Sequence, residues 1–151
     1  MPFAAHVPMT VREARRGFVV VEIVPQSDLF NHFGTYQAGV LLTLSEVTGG
    51  ILCGTFLDLA QNLLITRKTE FSFTENTHTV IRAEAALDNT AIETVLAEVN
   101  KKRKAVLSVN VGIKNESGRS VGTGINEYYL RLGMPKSFMN QQEETPEKRK
   151  F

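Results

Sequence analysis

Across residues 31–57, NHFGTYQAGVLLTLSEVTGGILCGTFL, a polar loop gives way to a stretch whose apolar side chains fall on every side of a helical projection. The loop, residues 31–39, holds Gly34 and Gly39, where backbone can turn sharply or approach a ligand closely. From about Gln37 to Leu57, Leu41, Leu44, Ile51 and Leu52 crowd one side, and Leu42, Glu46, Gly49, Gly50 and Cys53 the other. A helix apolar all round is a buried helix. It therefore carries Glu46 into or near the core, where a carboxylate is costly unless partnered and is a functional candidate. A membrane span is disfavoured by the same residue, since an acid at mid-span costs about 2.5–3.5 kcal/mol on insertion scales.

The flanking sequence is strand-like. Residues 10–16 and 18–24 read as two strands joined tightly at Arg16-Gly17, the second apolar on both faces for most of its length. After the helix, LLITRKTEFSF puts Ile65, Phe71 and Phe73 on one parity and Lys68, Glu70 and Ser72 on the other. The run THTVIRAEAALD continues with Ile81, Ala83, Ala85 and Leu87 on one face. Thr90 and Glu93 then have the spacing of a capping box opening a second helix, with Ile92, Val95, Leu96 and Val99 as its buried stripe. Lys101, Lys102, Arg103 and Lys104 close it, as cations favour a helix C-terminus. Two long strands follow, KAVLSVNVGIKN and RSVGTGINEYYLRL, the latter with Val121, Ile125 and Tyr129 on one parity. Six strands and one dominant apolar helix predict an α+β domain in which an antiparallel sheet packs on the helix. The domain is expected over 1–133, with 134–151, rich in Pro, Lys, Glu and Gln, as a disordered tail.

Composition narrows the function. At 151 residues the chain suits one domain with a single core, and a net charge of +1 gives no drive toward nucleic acid or anionic membranes. The N-terminus lacks a signal-peptide apolar run, so a cytoplasmic protein is expected. One cysteine excludes an internal disulfide, and no zinc signature is present, so no metal is expected. Cys53 reads as a small buried hydrophobe rather than a nucleophile.

Acyl chemistry fits the loop and helix best. Free amides at the helix start, near Ala38 and Gly39, lie at the positive end of the helix dipole and can stabilise a developing oxyanion. Glu46, two turns on, can serve as general base or attack an acyl carbon directly, and Asn31 can orient the water or the carbonyl. Plainer readings stand beside these: Glu46 as a half-exposed carboxylate paired with Arg or Lys, Asn31 as a turn-former or cap, and the Lys101–Lys104 run as a solvated helix end. The same run could instead receive phosphates.

The motif Asn31-x-x-Gly34-x-x-Gln37-Ala38-Gly39 followed by Glu46 resembles the N-x-x-G-x-x-H-G-G…(D/E) signature of hotdog-fold acyl-CoA thioesterases of the phenylacetic-acid-pathway type. The wider run NHFGTYQAGVLLTLSEVTGG is similar to a DUF4442-like branch carrying NHxGTxxAG…E. The resemblance spans about residues 10–131. It implies a hotdog sheet wrapped around the central helix, with two subunits paired edge to edge and active sites at the dimer interface, as a homodimer or homotetramer. It also implies Glu46 as the catalytic carboxylate, Asn31 as the positioning amide, and the Ala38 and Gly39 amides as the oxyanion hole. Coenzyme A enters as part of the substrate, with no separate cofactor. Gly34, Gln37, Gly50, Thr66, Lys101 and Arg103 are the expected substrate contacts, and packing around Phe56, Phe71 and Tyr36 is expected to set pocket depth.

Two positions depart from the pattern: Gln37 replaces the usual His, and Ala38 the first Gly of the pair. A backbone amide survives the second change. The Ser or Thr that some members add beyond the carboxylate has no direct match, and Gly50 and Thr66 are the neighbouring positions. Three functions follow in order: an acyl-CoA thioesterase, a non-catalytic acyl-CoA- or lipid-binding hotdog protein, and a hotdog dehydratase, for which Gln37 removes the usual catalytic His. Fold analogy alone does not choose among them.

Overall fold

The structure, a computed structural model, describes residues 3–134; of the expected tail, 134–151, all but Met134 lies outside them. Strands β1 (Met9–Arg15) and β2 (Phe18–Ile23) form a hairpin, and α1 (Ala38–Gly54) follows. Next come β3 (Asn62–Phe73), β4 (Ile81–Ala86), α2 (Asn89–Lys102), β5 (Lys104–Asn115) and β6 (Ser120–Leu132). The sheet runs β1-β2-β4-β5-β6-β3, antiparallel throughout, and curls around α1, which touches all six strands, least of all the edge strand β1. Strand β3 is therefore an edge strand with one backbone side unpaired among the described residues.

Burial follows strand alternation. Val19, Val21 and Ile23 of β2, Ile81, Ala83 and Ala85 of β4, and Val109, Val111 and Ile113 of β5 meet Leu41, Leu44 and Leu52 of α1 in one core. The helix is not buried all round, however. Leu42 is 37% exposed and Gly54 is exposed, so the non-core side of α1 is available for contact.

Two strand parities differ from the sequence pattern. In β6 the buried set from Gly122 on is Gly122, Gly124, Asn126, Tyr128 and Leu130; of the expected parity Val121 is buried, while Ile125 is 44% exposed on the outer face. In β3 the register shifts between Thr66 and Lys68: Thr66 opposes Tyr128, but Lys68 opposes Glu127. Arg67 is the extra residue of a β-bulge. Thr66, Thr69 and Phe71 consequently share the helix-facing side, and Ile65 turns outward, away from Phe71.

The second helix starts earlier than the Thr90–Glu93 spacing indicated. Asp88 is its N-cap, its carboxylate accepting from the Ala91 amide at 2.7 Å, while Glu93 pairs with Arg16. A carboxylate side chain at this position stabilises the helix start by satisfying one of its free amides. The helix ends at Lys102; Arg103 adopts a left-handed conformation (φ 62°) and Lys104 already belongs to β5.

Candidate active site

Asn31 builds the loop ahead of α1. Its backbone amide donates to the Thr35 carbonyl (2.8 Å), its side-chain oxygen accepts from the Phe33 amide (2.9 Å), and its Nδ2 donates to Thr35 Oγ1 (3.1 Å). Gly34, at φ 74°, turns this loop where a side chain would strain the backbone. Gln37 closes it, donating its amide to the Leu29 carbonyl, and stands as the α1 N-cap without a side-chain capping bond. The Val40 and Leu41 amides turn back to the Gln37 carbonyl, whereas those of Ala38 and Gly39 find no acceptor among the described residues. These two donors are what a helix start leaves free. Asn31, Tyr36, Gln37 and Ala38 line a cavity of about 240 Å³ there. Tyr36 has a buried hydroxyl with no partner among the described residues, and burial pushes its phenol up to about 12.

Glu46 sits further along α1, half-buried. Three contacts fix this part of the helix. Tyr128 donates its hydroxyl to the Glu46 carbonyl at 2.5 Å, and Asn126 donates to the Ser45 hydroxyl at 2.9 Å. Thr69 in turn donates to Asn126 Oδ1 at 3.0 Å, so a buried polar chain ties β3, β6 and α1 together. The Tyr128 phenol is held well above its usual range, by burial first and the Glu46 charge second, so it remains a donor. Gly49 makes this contact possible: a Cβ there would lie 2.3 Å from the Tyr128 hydroxyl.

The third contact touches the carboxylate itself. Thr66 Oγ1 donates to Glu46 Oε1 at 2.6 Å, and no Lys or Arg pairs with Glu46 among the described residues. Glu46, Gly50 and Thr66 line a second cavity, of about 250 Å³, between α1 and the start of β3. Its apolar walls include Ile51, Leu59, Leu64 and Met134. Phe56, Phe71 and Tyr36 do not line it, contrary to the pocket-depth expectation; Phe71 instead lies over Gly122 and Gly124 of β6.

The sequence-derived site thus divides into two groups. Asn31, Gln37 and Ala38 meet at the start of α1, and Glu46, Gly50 and Thr66 meet two turns later. Eight residues of helix separate Ala38 from Glu46, about 12 Å of axis. One water or one carbonyl cannot touch both groups in a single chain. Gly34 and Gly39, both exposed, line neither cavity, and neither do the exposed Lys101 and Arg103. Cys53 is buried, which pushes its thiol up to about 12 and leaves it without nucleophilic character. Among the described residues no three His, Cys, Asp or Glu side chains cluster to hold a metal, and no helix is long and apolar enough to cross a membrane.

Residues 1–130 match the family model described as Domain of unknown function (DUF4442). The chain belongs to that family. Its fold is the hotdog fold, six antiparallel strands around a central helix. A Pseudomonas aeruginosa protein of unknown function, PA5026, described as a probable thioesterase, is 29% identical over 87% of this chain and 88% of its own, with a TM-score of 0.79. The Staphylococcus aureus thioesterase SAV0944, solved as a variant, is 13% identical over 87% of this chain and 99% of its own, with a TM-score of 0.70. The Escherichia coli PaaI protein from the phenylacetic acid degradation operon is 14% identical over 88% and 86%, with a TM-score of 0.65. No curated protein sequence matches the chain.

Proposed function

We propose that this protein is an acyl-CoA thioesterase whose active site forms between two copies of the chain. The carrying observation is Glu46, held through one oxygen by Thr66 at an apolar cavity, with no partner on the other oxygen among the described residues. That free oxygen accepts a proton from water as the water oxygen bonds to the thioester carbonyl carbon. Collapse of the tetrahedral intermediate breaks the C–S bond, and the proton passes to the departing thiolate. The products are a carboxylic acid and free coenzyme A. Direct attack by the Glu46 carboxylate is the alternative use of the same group.

Two observations favour a shared site. The free Ala38 and Gly39 amides suit the carbonyl oxygen, yet lie about 12 Å along α1 from Glu46. The β3 edge offers an unpaired ladder that a second β3 can extend, and such edges are otherwise aggregation-prone. In that homodimer the start of α1 in one copy meets Glu46 of the other, and Asn31 acts by holding the loop that aims the amides. Gly34 gives that loop its turn, while Gly39 and Gln37 border the carbonyl.

Lys101 and Arg103 are assigned to the carrier's phosphates. The Arg103 carbonyl accepts from the Leu132 amide at one side of β6, and Asn62, which lines the Glu46 cavity, pairs with Leu132 at the other. Two strand spacings put Arg103 about 10 Å from Asn62. Lys104 and Arg131, opposed in the β5–β6 ladder, add charge at the same end.

The test is free-thiol release from a panel of acyl-CoAs, for which the buried Cys53 gives no background in the folded protein. Wild type should turn over, and Glu46→Gln should lose about 10²–10⁴ in rate while still binding substrate. Binding without turnover by wild type would instead mark a carrier protein, and water addition to an enoyl-CoA would mark a hydratase.

A further inference from the structure

We infer that the cavity beside Glu46 is the acyl site, and that it takes an uncharged hydrocarbon acyl group of intermediate size, with Gly50 setting the limit. The inference rests on the thioesterase reading for the orientation of the substrate, but not for its chemistry.

The lining decides the chemical class. Ile51, Leu59, Leu64 and Met134 give apolar walls. Every polar side chain among them except the Glu46 carboxylate is already committed to the protein. Thr66 donates to Glu46, Tyr128 donates to the Glu46 carbonyl, and Asn62 donates to the Asp58 carbonyl while accepting from the Gly133 amide. Among the described residues no Lys, Arg or His lines the cavity. A dicarboxylic acyl group would bring a second carboxylate beside Glu46 with no donor to receive it. The desolvation cost of an unpaired charge rejects that class far more strongly than a wrong chain length is rejected.

The size follows from α1. Gly50 lies one turn beyond Glu46 on the same face, and a Cβ built on it meets nothing within 4 Å, so the missing side chain is open cavity. A cavity of 150 Å³ holds benzene; scaling to the 250 Å³ here gives room for on the order of six to ten carbons. An aryl acyl group or a medium aliphatic chain fits this volume.

Binding is measured by calorimetry on the Glu46→Gln dimer, which keeps the thioester intact, with CoA as reference and acetyl-, hexanoyl-, octanoyl-, palmitoyl- and succinyl-CoA as probes. Affinity should rise by roughly fourfold per added methylene up to the limit, then level off. Succinyl-CoA should bind no better than CoA. Gly50→Leu should move the plateau to shorter chains, and Leu59→Phe, narrowing the cavity from its other wall, should do the same if Gly50→Leu fails to fold. Hexanoyl-CoA binding no tighter than CoA, succinyl-CoA binding as well as hexanoyl-CoA, or a plateau unmoved in a folded variant would each overturn the assignment. Because these are binding readouts, a wild type that binds octanoyl-CoA tightly but never cleaves it would sink the thioesterase reading and leave the acyl site standing.

Discussion

Thr66 Oγ1 reaches Glu46 Oε1 over 2.6 Å because Arg67 is squeezed out of the β3–β6 ladder as a bulge. Thr66 keeps its place opposite Tyr128 on the helix-facing side, while the strand beyond it changes parity. The bulge thus lets one edge strand face Glu46 with a hydroxyl and still carry Phe71 and the exposed Thr69 on the helix-facing side. Bulges often re-aim a side chain in this way next to functional sites.

Removing that hydroxyl should cost rate rather than substrate affinity. Thr66→Val keeps the shape and loses a hydrogen bond to a charged group, so kcat should fall about ten- to a hundredfold with KM little changed. Thr66→Ser should retain most of the activity. Steady-state kinetics on the best acyl-CoA of the panel decides, and a larger loss in Thr66→Ser than in Thr66→Val would show that the methyl group, not the hydroxyl, matters.

Adjacent glycines in α1 should respond with opposite signs. Gly49→Ala drives a methyl into Tyr128, which is 1% exposed and bonded to the Glu46 carbonyl, and should destabilise by about 1–3 kcal/mol. Gly50→Ala meets open space and should stabilise by up to about 1 kcal/mol through helix propensity. Urea midpoints measured side by side test the pair. Tyr128→Phe should recover part of the Gly49→Ala loss, because the hydroxyl is the closest clashing atom.

Acid should release a different carboxylate. Glu22 is 4% exposed and bridges Arg12 and Arg82 across the outer face of β1, β2 and β4. The hydrogen bond from Arg12 outweighs burial and, with Arg82, holds its pKa below 4.5. A depressed native value means the stabilisation is complete above pH 4.5 and is lost as pH falls through the native value. Glu22→Gln should therefore cost about 1–2 kcal/mol at pH 7, and the gap to wild type should close in acid. A gap unchanged down to pH 3 would contradict this.

Much of this architecture is legible in the sequence because alternation is local. The inward sets of β4 and β5 are read directly from their Val, Ile and Ala positions, whereas β2 is apolar on both faces and only its place in the sheet shows that Val19, Val21 and Ile23 turn inward. The bulge at Arg67 is not, since nothing in LLITRKTEFSF marks an extra residue and the register depends on β6. The buried parity of β6 is hidden for another reason: it carries Gly124, Asn126 and Tyr128, whose burial depends on Ser45, Gly49 and Thr69 from other elements. The candidate site divides likewise. The motif names Asn31, Gln37 and Glu46 and already spaces Glu46 two turns from the helix start, but that the two groups line separate cavities appears only in the structure.

The central claim is that Glu46 of one copy works with the loop and helix start of the other. Mixing inactive Glu46→Gln and Asn31→Ala subunits tests it, with heterodimer formation verified by differential tags. One of the two sites in each heterodimer then carries no substitution, and random pairing predicts recovery to roughly a quarter of wild-type thiol release. Verified heterodimers that release no thiol above either parent would contradict the shared site.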